Sequence, residues 1–148
     1  MDHKDLHFTR TIAAPVAHMF HCMTDPSARM AWNAPGPDMP FHITAPVAAE
    51  AGNRESGTVG PIEAPMVTVH TDWVVTDAKG MLVYAETLEA DGMILTTSLA
   101  SATLEDADGK TNLTLHVHVT SFTGPESVAE VEEGWNFAVA AMTEYAVN

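Results

Sequence analysis

The feature that most constrains the fold is a long amphipathic helical pattern at the end of the chain. From Val128 to Tyr145, apolar residues recur at alternating spacings of three and four, which is the pattern of a helix with one buried face. Ser127–Glu130 has the Ser-x-x-Glu form of a capping box and predicts the start of this helix. A helix of this length with one apolar face must cover a core built by the rest of the chain.

The segment before this helix has the pattern of an antiparallel sheet. Within Met66–Phe122 the apolar residues alternate along successive runs, most strictly in Leu113–Val119. The runs are separated by Asp77–Gly80, Asp91–Gly92 and Asp108–Gly109, and Asp-Gly pairs between strands are strong hairpin signals. The sequence therefore predicts a meander of antiparallel strands.

The first part of the chain predicts one strand and two short helices. A strand-like run, His7–Ile12, is followed by a helical stripe in Val16–Met23 and by a second helix, Ser27–Trp32, that Asp25 caps. Prolines and glycines interrupt residues 34–61, so any strand there is short, bent or at an edge.

These elements together predict an α+β fold in which a curved antiparallel sheet wraps around the long C-terminal helix, with two short helices after the first strand. A curved sheet that grips one helix rarely fills the space between them. We therefore expect a cavity between the sheet and the helix.

Short motifs in a fixed order resemble the helix-grip superfamily, the SRPBCC group that includes START domains and pollen allergens. The matching pieces are Phe8–Pro15, Thr24–Pro26, Trp32, Gly52–Glu55 and Gly134–Trp135. They are most similar to the bacterial family related to the C-terminal domain of the ATPase activator of the 90-kDa heat-shock chaperone. The resemblance covers nearly the whole chain and implies a single helix-grip domain over residues 1–148.

Four positions depart from that family's pattern. Asn53 stands where a second Gly would be expected, a mild change because Asn tolerates positive φ better than other non-Gly residues. Val117 stands where many members carry a Glu, and Val75 and Met81 stand where many have an Asp and an Arg. Polar groups that would contact a ligand in such members are missing here, so the function of the family cannot simply be carried across.

The charge balance excludes two classes of partner. The chain has 20 acidic against 6 basic side chains, a formal net charge of −14, and no local cluster of Lys or Arg. Such a charge repels phosphate backbones and anionic lipid headgroups, so we expect no nucleic acid partner and no membrane partner. With one cysteine, no leader-like segment and no long apolar run, the sequence indicates a cytoplasmic protein.

The eight histidines raise the question of a metal site. His18 and His21 have helical i, i+3 spacing, and His116 and His118 share one face of a strand. We predict no metal site, because no third ligand lies nearby in the sequence and strand parity turns His116 and His118 to solvent. No cofactor is implied.

Cys22 and a nearby histidine have the residue types of a nucleophile and its base. Neither an orienting third group nor an oxyanion donor has a signature in the sequence, so we interpret Cys22 as a small apolar filler.

The sequence allows two orientations for the Glu86 side chain. If Leu82, Tyr84 and Leu88 face the helix, strand parity carries Glu86 inward, where burial would raise its pKa and the carboxyl could anchor a polar ligand group or act as a base. If Val83 and Ala85 face inward instead, Glu86 is a solvated charge, and the sequence slightly favours this second orientation.

The favoured interpretation is a domain that binds a small hydrophobic or amphipathic molecule in an apolar cavity. The predicted lining consists of Phe20, Trp32, Val69, Trp73, Tyr84, Glu86, Ser98, Val117 and Trp135. Two alternatives stay open: an interaction protein that modulates a chaperone ATPase, and an enzyme of cyclase or hydrolase type that uses the cavity. The chaperone interpretation is less favoured, because those activators carry a further N-terminal domain for which this chain has no room. The sequence leaves the ligand's identity and a homodimer open.

Overall fold

The computed structural model describes residues 1–148 as seven strands and three helices. The strands are β1 (Asp2–Ile12), β2 (Phe41–Ala45), β3 (Arg54–Val59), β4 (Val67–Asp77), β5 (Met81–Ala90), β6 (Met93–Ala107) and β7 (Lys110–Ser121). The helices are α1 (Val16–Thr24), α2 (Pro26–Trp32) and α3 (Pro125–Val147).

All seven strands form one antiparallel sheet in the order β1-β7-β6-β5-β4-β3-β2. The helix α3 packs on the inner face against β1, β7 and β6, and α1 and α2 pack beside it. This is the predicted α+β helix-grip fold, with the curved sheet around the C-terminal helix and the two short helices after the first strand. None of the three helices is both long and apolar enough to cross a membrane.

The two predicted Asp-Gly hairpins are confirmed. Asp91 and Gly92 connect β5 to β6 with φ values of 52° and 76°, and Asp108 and Gly109 connect β6 to β7 with 54° and 84°. Positive φ at both turn residues is the conformation of a type I′ turn, whose twist matches that of the strands it joins.

The core lies between the sheet and α3, where strand parity predicts it. In β7 the alternating apolar residues of Leu113–Val119 are all at most 1% exposed. Trp135, Val139 and Met142 of α3 are buried in the same cluster. The short strands β2 and β3 occupy the Pro- and Gly-rich region, with β2 at the edge of the sheet as expected.

Two predicted boundaries and one predicted core residue were wrong. The C-terminal helix begins at Pro125, with Gly124 as its N-cap, so Ser127 is inside the helix and does not cap it. Proline is favoured at this position because its fixed φ suits the first helical turn. Tyr145 is 39% exposed and lies off the buried face. The first strand begins at Asp2, because pairing with β7 extends it.

Candidate ligand-binding cavity

A cavity of about 270 Å³ lies between α3 and one half of the sheet. It exists because α3 packs on β1 and β7 and makes no close backbone approach to β3, β4 or β5. The wall residues are Asn33, Pro35, Met39, Phe41, Val59, Val67, Val69, Glu86, Leu88, Leu95, Thr96, Ser127, Glu130, Val131, Gly134, Trp135 and Ala138. The wall is therefore mainly apolar, as expected for a site that holds an organic molecule.

A row of polar residues crosses the inner face of the sheet beside this cavity. Glu55 pairs with Thr71, Thr71 with Glu86, and Glu86 with Ser98 in the registers of β3 to β6. Residues paired across antiparallel strands project to the same face. Glu55, Thr71 and Ser98 are at most 3% exposed, so the row belongs to the interior.

Arg29 of α2 neutralises one end of the row. Its Nη1 donates to Glu55 Oε1 over 2.5 Å, and each side chain is 2% exposed. The guanidinium also lies 4.9 Å from the ring centroid of Trp73 and 5.9 Å from that of Phe41. Aromatic faces attract cations at such distances, which favours a charged Arg29 in this position.

Glu86 faces inward and lines the cavity, so the slightly favoured solvated orientation was wrong. Leu82 and Tyr84 share its face and are buried. Burial raises the pKa of the Glu86 carboxyl above its ordinary value of 4.5, and the Arg29 charge and the Asn33 side chain partly oppose this shift. Arg29 already pairs with Glu55, so Glu86 has no cation of its own.

Thr96 supplies a second polar group to the wall. Its side chain is 1% exposed, and its Oγ1 has no hydrogen-bond partner. Leu88 pairs with Thr96 and Glu86 pairs with Ser98, so Glu86 and Thr96 are diagonal neighbours on one face of β5 and β6. Diagonal neighbours lie about 7–8 Å apart, a separation that long side chains can span.

Three of the nine residues predicted to line the cavity do so: Val69, Glu86 and Trp135. Ser98 lies buried opposite Glu86 in the register, and Val117 is in the core beneath α3.

The remaining four predicted residues are aromatic and lie elsewhere. Trp73 and Tyr84 are buried in the core, with ring centroids 5.3 Å apart, and Tyr84 in turn lies 6.5 Å from Trp135. Trp32 is buried and donates from Nε1 to the carbonyl oxygen of Cys22. Phe20 packs against the core and borders a separate depression beside residues 47–50.

Sequence reasoning missed much of the wall. Pro35, Met39, Phe41 and Val59 come from the Pro- and Gly-rich region, whose strands were too short to assign a face. It also missed the buried pair of Arg29 and Glu55. A usable signal was present, because Arg29 precedes Trp32 by one helical turn and shares its face.

The histidines and Cys22 lie outside the cavity. His116 and His118 project to the outer face, as parity predicts, and donate to Asp5 Oδ1 over 3.1 and 2.8 Å. The structure contains no group of three or more metal-ligating side chains placed to hold an ion.

Cys22 is completely buried, and burial raises the pKa of its thiol. The nearest imidazole nitrogen, His18 Nε2, lies 3.5 Å from Sγ and 3.1 Å from the Ala146 carbonyl oxygen. A nitrogen that donates to this carbonyl cannot accept the thiol proton, so the pair does not have the arrangement of a nucleophile and its base.

The fold and the cavity together define a helix-grip protein. The model of the polyketide cyclase/dehydrase and lipid transport family matches residues 4–145. The chain therefore belongs to this family. The narrower resemblance to the chaperone-activator family is not part of this match, and comparison with curated proteins gave no match.

Solved structures share the fold. An uncharacterised protein from Rhizobium leguminosarum has a TM-score of 0.80 at 16% identity and covers 98% of this chain and 95% of its own. The protein Mll3558 from Rhizobium loti has a TM-score of 0.80 at 19% identity, with 97% of each chain covered. Ara h 8.0201 has a TM-score of 0.70 at 18% identity, with 99% of each chain covered. At such identities the likeness establishes the fold.

Proposed function

We propose that this protein binds a small hydrophobic or amphipathic molecule in the cavity between α3 and the sheet. The observation that carries the proposal is the mainly apolar wall around about 270 Å³ of space, with a few polar groups among the wall residues. A largely apolar cavity with few polar groups is the usual form of a small-molecule site. The description of the family, which includes lipid transport, agrees with it.

The size of the cavity limits the ligand. Its volume of about 270 Å³ is far above the roughly 10–15 Å³ that a single water needs, so the space can hold an organic molecule. An aliphatic chain of about eight carbons with a small head group, or a compact ring system, fills such a space. 1-Octanol is therefore a suitable probe for the first experiment.

Isothermal titration calorimetry with 1-octanol tests the proposal, and native mass spectrometry of the purified protein tests for a retained molecule. We expect saturable binding and a change in tryptophan emission, because Trp135 lines the cavity. Leu88→Trp fills the cavity and should weaken binding by about tenfold or more. The control is Leu99→Trp, since Leu99 is 47% exposed and lies on the outer face. Absence of saturable binding would overturn the proposal.

A second candidate function, acid–base catalysis of the cyclase or dehydrase type, is favoured by Glu86. A carboxyl with a raised pKa inside a cavity suits a general acid or base. The test is dehydration of a small β-hydroxyketone. A measurable rate that falls by about 100-fold or more in Glu86→Gln would support this candidate. Lack of turnover together with 1-octanol binding would leave the binding function as the better proposal. Modulation of a chaperone ATPase rests on the narrower sequence resemblance and stays a prediction.

A further inference from the structure

The charged residues of the cavity wall are acidic and would repel an anionic ligand. Two of the seventeen wall residues are charged, Glu86 and Glu130, and both are acidic. No Lys, Arg or His lines the cavity. A ligand carboxylate would therefore meet no cation on the wall. Low polarity strengthens its repulsion by the inward-facing Glu86, whereas Glu130 is exposed to solvent.

The buried Arg29 beside the polar row already forms an ion pair. Arg29 is 2% exposed, donates to Glu55 and is absent from the wall. Its Nη2 has no hydrogen-bond partner, and Arg29 is not among the residues that line the cavity. Arg29 thus forms its ion pair with the buried Glu55 and acts on Glu86 only through its charge, whereas the Glu86 carboxyl lines the cavity.

The unpartnered hydroxyl of Thr96 indicates where a polar ligand group would bind. A buried hydroxyl without a hydrogen bond is costly, and a bound group that supplies the missing bond removes that cost. Glu86 and Thr96 are diagonal neighbours on β5 and β6. One head group can therefore donate a hydrogen bond to the Glu86 carboxylate and form a second hydrogen bond with the Thr96 hydroxyl, as donor or as acceptor.

We propose that the cavity selects small amphipathic molecules whose head group donates hydrogen bonds and carries no negative charge, an alcohol or an amine, and that Glu86 and Thr96 hold this head group. Carboxylates of the same chain length bind more weakly than these molecules. This inference rests on the proposed function and specifies the ligand class for the same site.

A matched octyl series tests the selection by calorimetry at pH 7. We expect 1-octanol and octylamine to bind, and octanoate to bind about tenfold more weakly or worse. Octanoate that binds as tightly as 1-octanol overturns the head-group inference while the proposed function stands. If no member of the series binds, the proposed function and the inference are both overturned.

A variant of Glu86 and a matched control variant test whether Glu86 is responsible for the discrimination against octanoate. Glu86→Gln should lower octylamine affinity by about tenfold and reduce the discrimination against octanoate to about threefold or less. Glu105→Gln makes the same chemical change at an exposed residue that does not line the cavity and should leave the discrimination intact. Equal effects of the two variants overturn the role of Glu86.

Thr96→Val keeps the shape of the side chain and removes the hydroxyl. We expect 1-octanol affinity to fall by about threefold to tenfold, since a hydrogen bond to the ligand is lost. Unchanged affinity overturns the role of Thr96. The melting temperature of each variant, measured without ligand, separates a loss of binding from a loss of folding.

Discussion

The Arg29 guanidinium donates to the Glu55 carboxylate over 2.5 Å in the interior, and each side chain is only 2% exposed. The pair joins α2 to β3, elements that are separated in sequence by the irregular region. Arg29 Nη2 and Glu55 Oε2 have no hydrogen-bond partner. Each charge therefore depends on the other, because a buried charge without its partner is strongly destabilising.

The first prediction concerns this ion pair. Either Arg29→Met or Glu55→Leu should lower the free energy of unfolding by about 3–5 kcal/mol, because each leaves one buried charge unpaired. The double variant should recover a large part of the loss. Urea unfolding measures all three, with Arg54→Met as control, since the exposed Arg54–Asp72 pair contributes about 1 kcal/mol or less. Additive losses in the double variant would contradict the prediction.

The second prediction concerns the contribution of α3 to the core. Trp135 is 6% exposed and packs in the main cluster, whereas Phe137 on the same helix is 40% exposed. Trp135→Ala should cost about 3–5 kcal/mol, because a large buried ring is lost. Phe137→Ala should change stability by about 0.5 kcal/mol or less. Thermal and urea unfolding check both values, and similar losses in the two variants would show that α3 does not cover the core through Trp135.

The third prediction concerns pH. The folded state holds the Glu86 proton more tightly than the unfolded state, because burial raises the pKa above 4.5. The stability that Glu86 contributes is therefore complete below pH 4.5 and is lost as the pH rises through the raised value. Glu86→Gln stays neutral, so its stability relative to the wild type should increase with pH across this range. Urea unfolding at several pH values measures the difference. A flat difference for Glu86→Gln would disprove the inward burial.

The fourth prediction concerns the outer face. Hydrogen bonds from His118 and then His116 lower the pKa of the Asp5 carboxyl below its ordinary value of 3.8. Carboxyl carbon NMR should therefore find a low titration midpoint for Asp5. In His118→Ala the midpoint should move toward 3.8, whereas His42→Ala, at the opposite edge of the sheet, should leave it unchanged. A midpoint that does not respond to His118 would show that the hydrogen bond is absent in solution.

Elements whose conformation depends on residues close to one another in the sequence could be predicted from the sequence. The type I′ turns follow from Asp-Gly pairs, whose φ values few other residues adopt. The alternation of Leu113–Val119 determines which face of β7 is buried, and Asp25 caps α2 by accepting from the Ala28 N–H. These features, together with the amphipathic pattern of the C-terminal helix, predicted the α+β arrangement, because each depends on a local pattern of residue types. The helix-grip fold itself was named from the resemblance of short motifs to that superfamily.

Only the tertiary structure decided where the site lies and which groups face it. The orientation of Glu86 was ambiguous because apolar residues occupy both faces of β5, and the packing of Leu82 and Tyr84 against the core settled it. The pairing of Arg29 with Glu55 joins residues 26 positions apart, a distance over which no local pattern acts. The cavity exists because α3 rests on β1 and β7 and stands away from β3 to β5, and that position depends on how whole elements pack together.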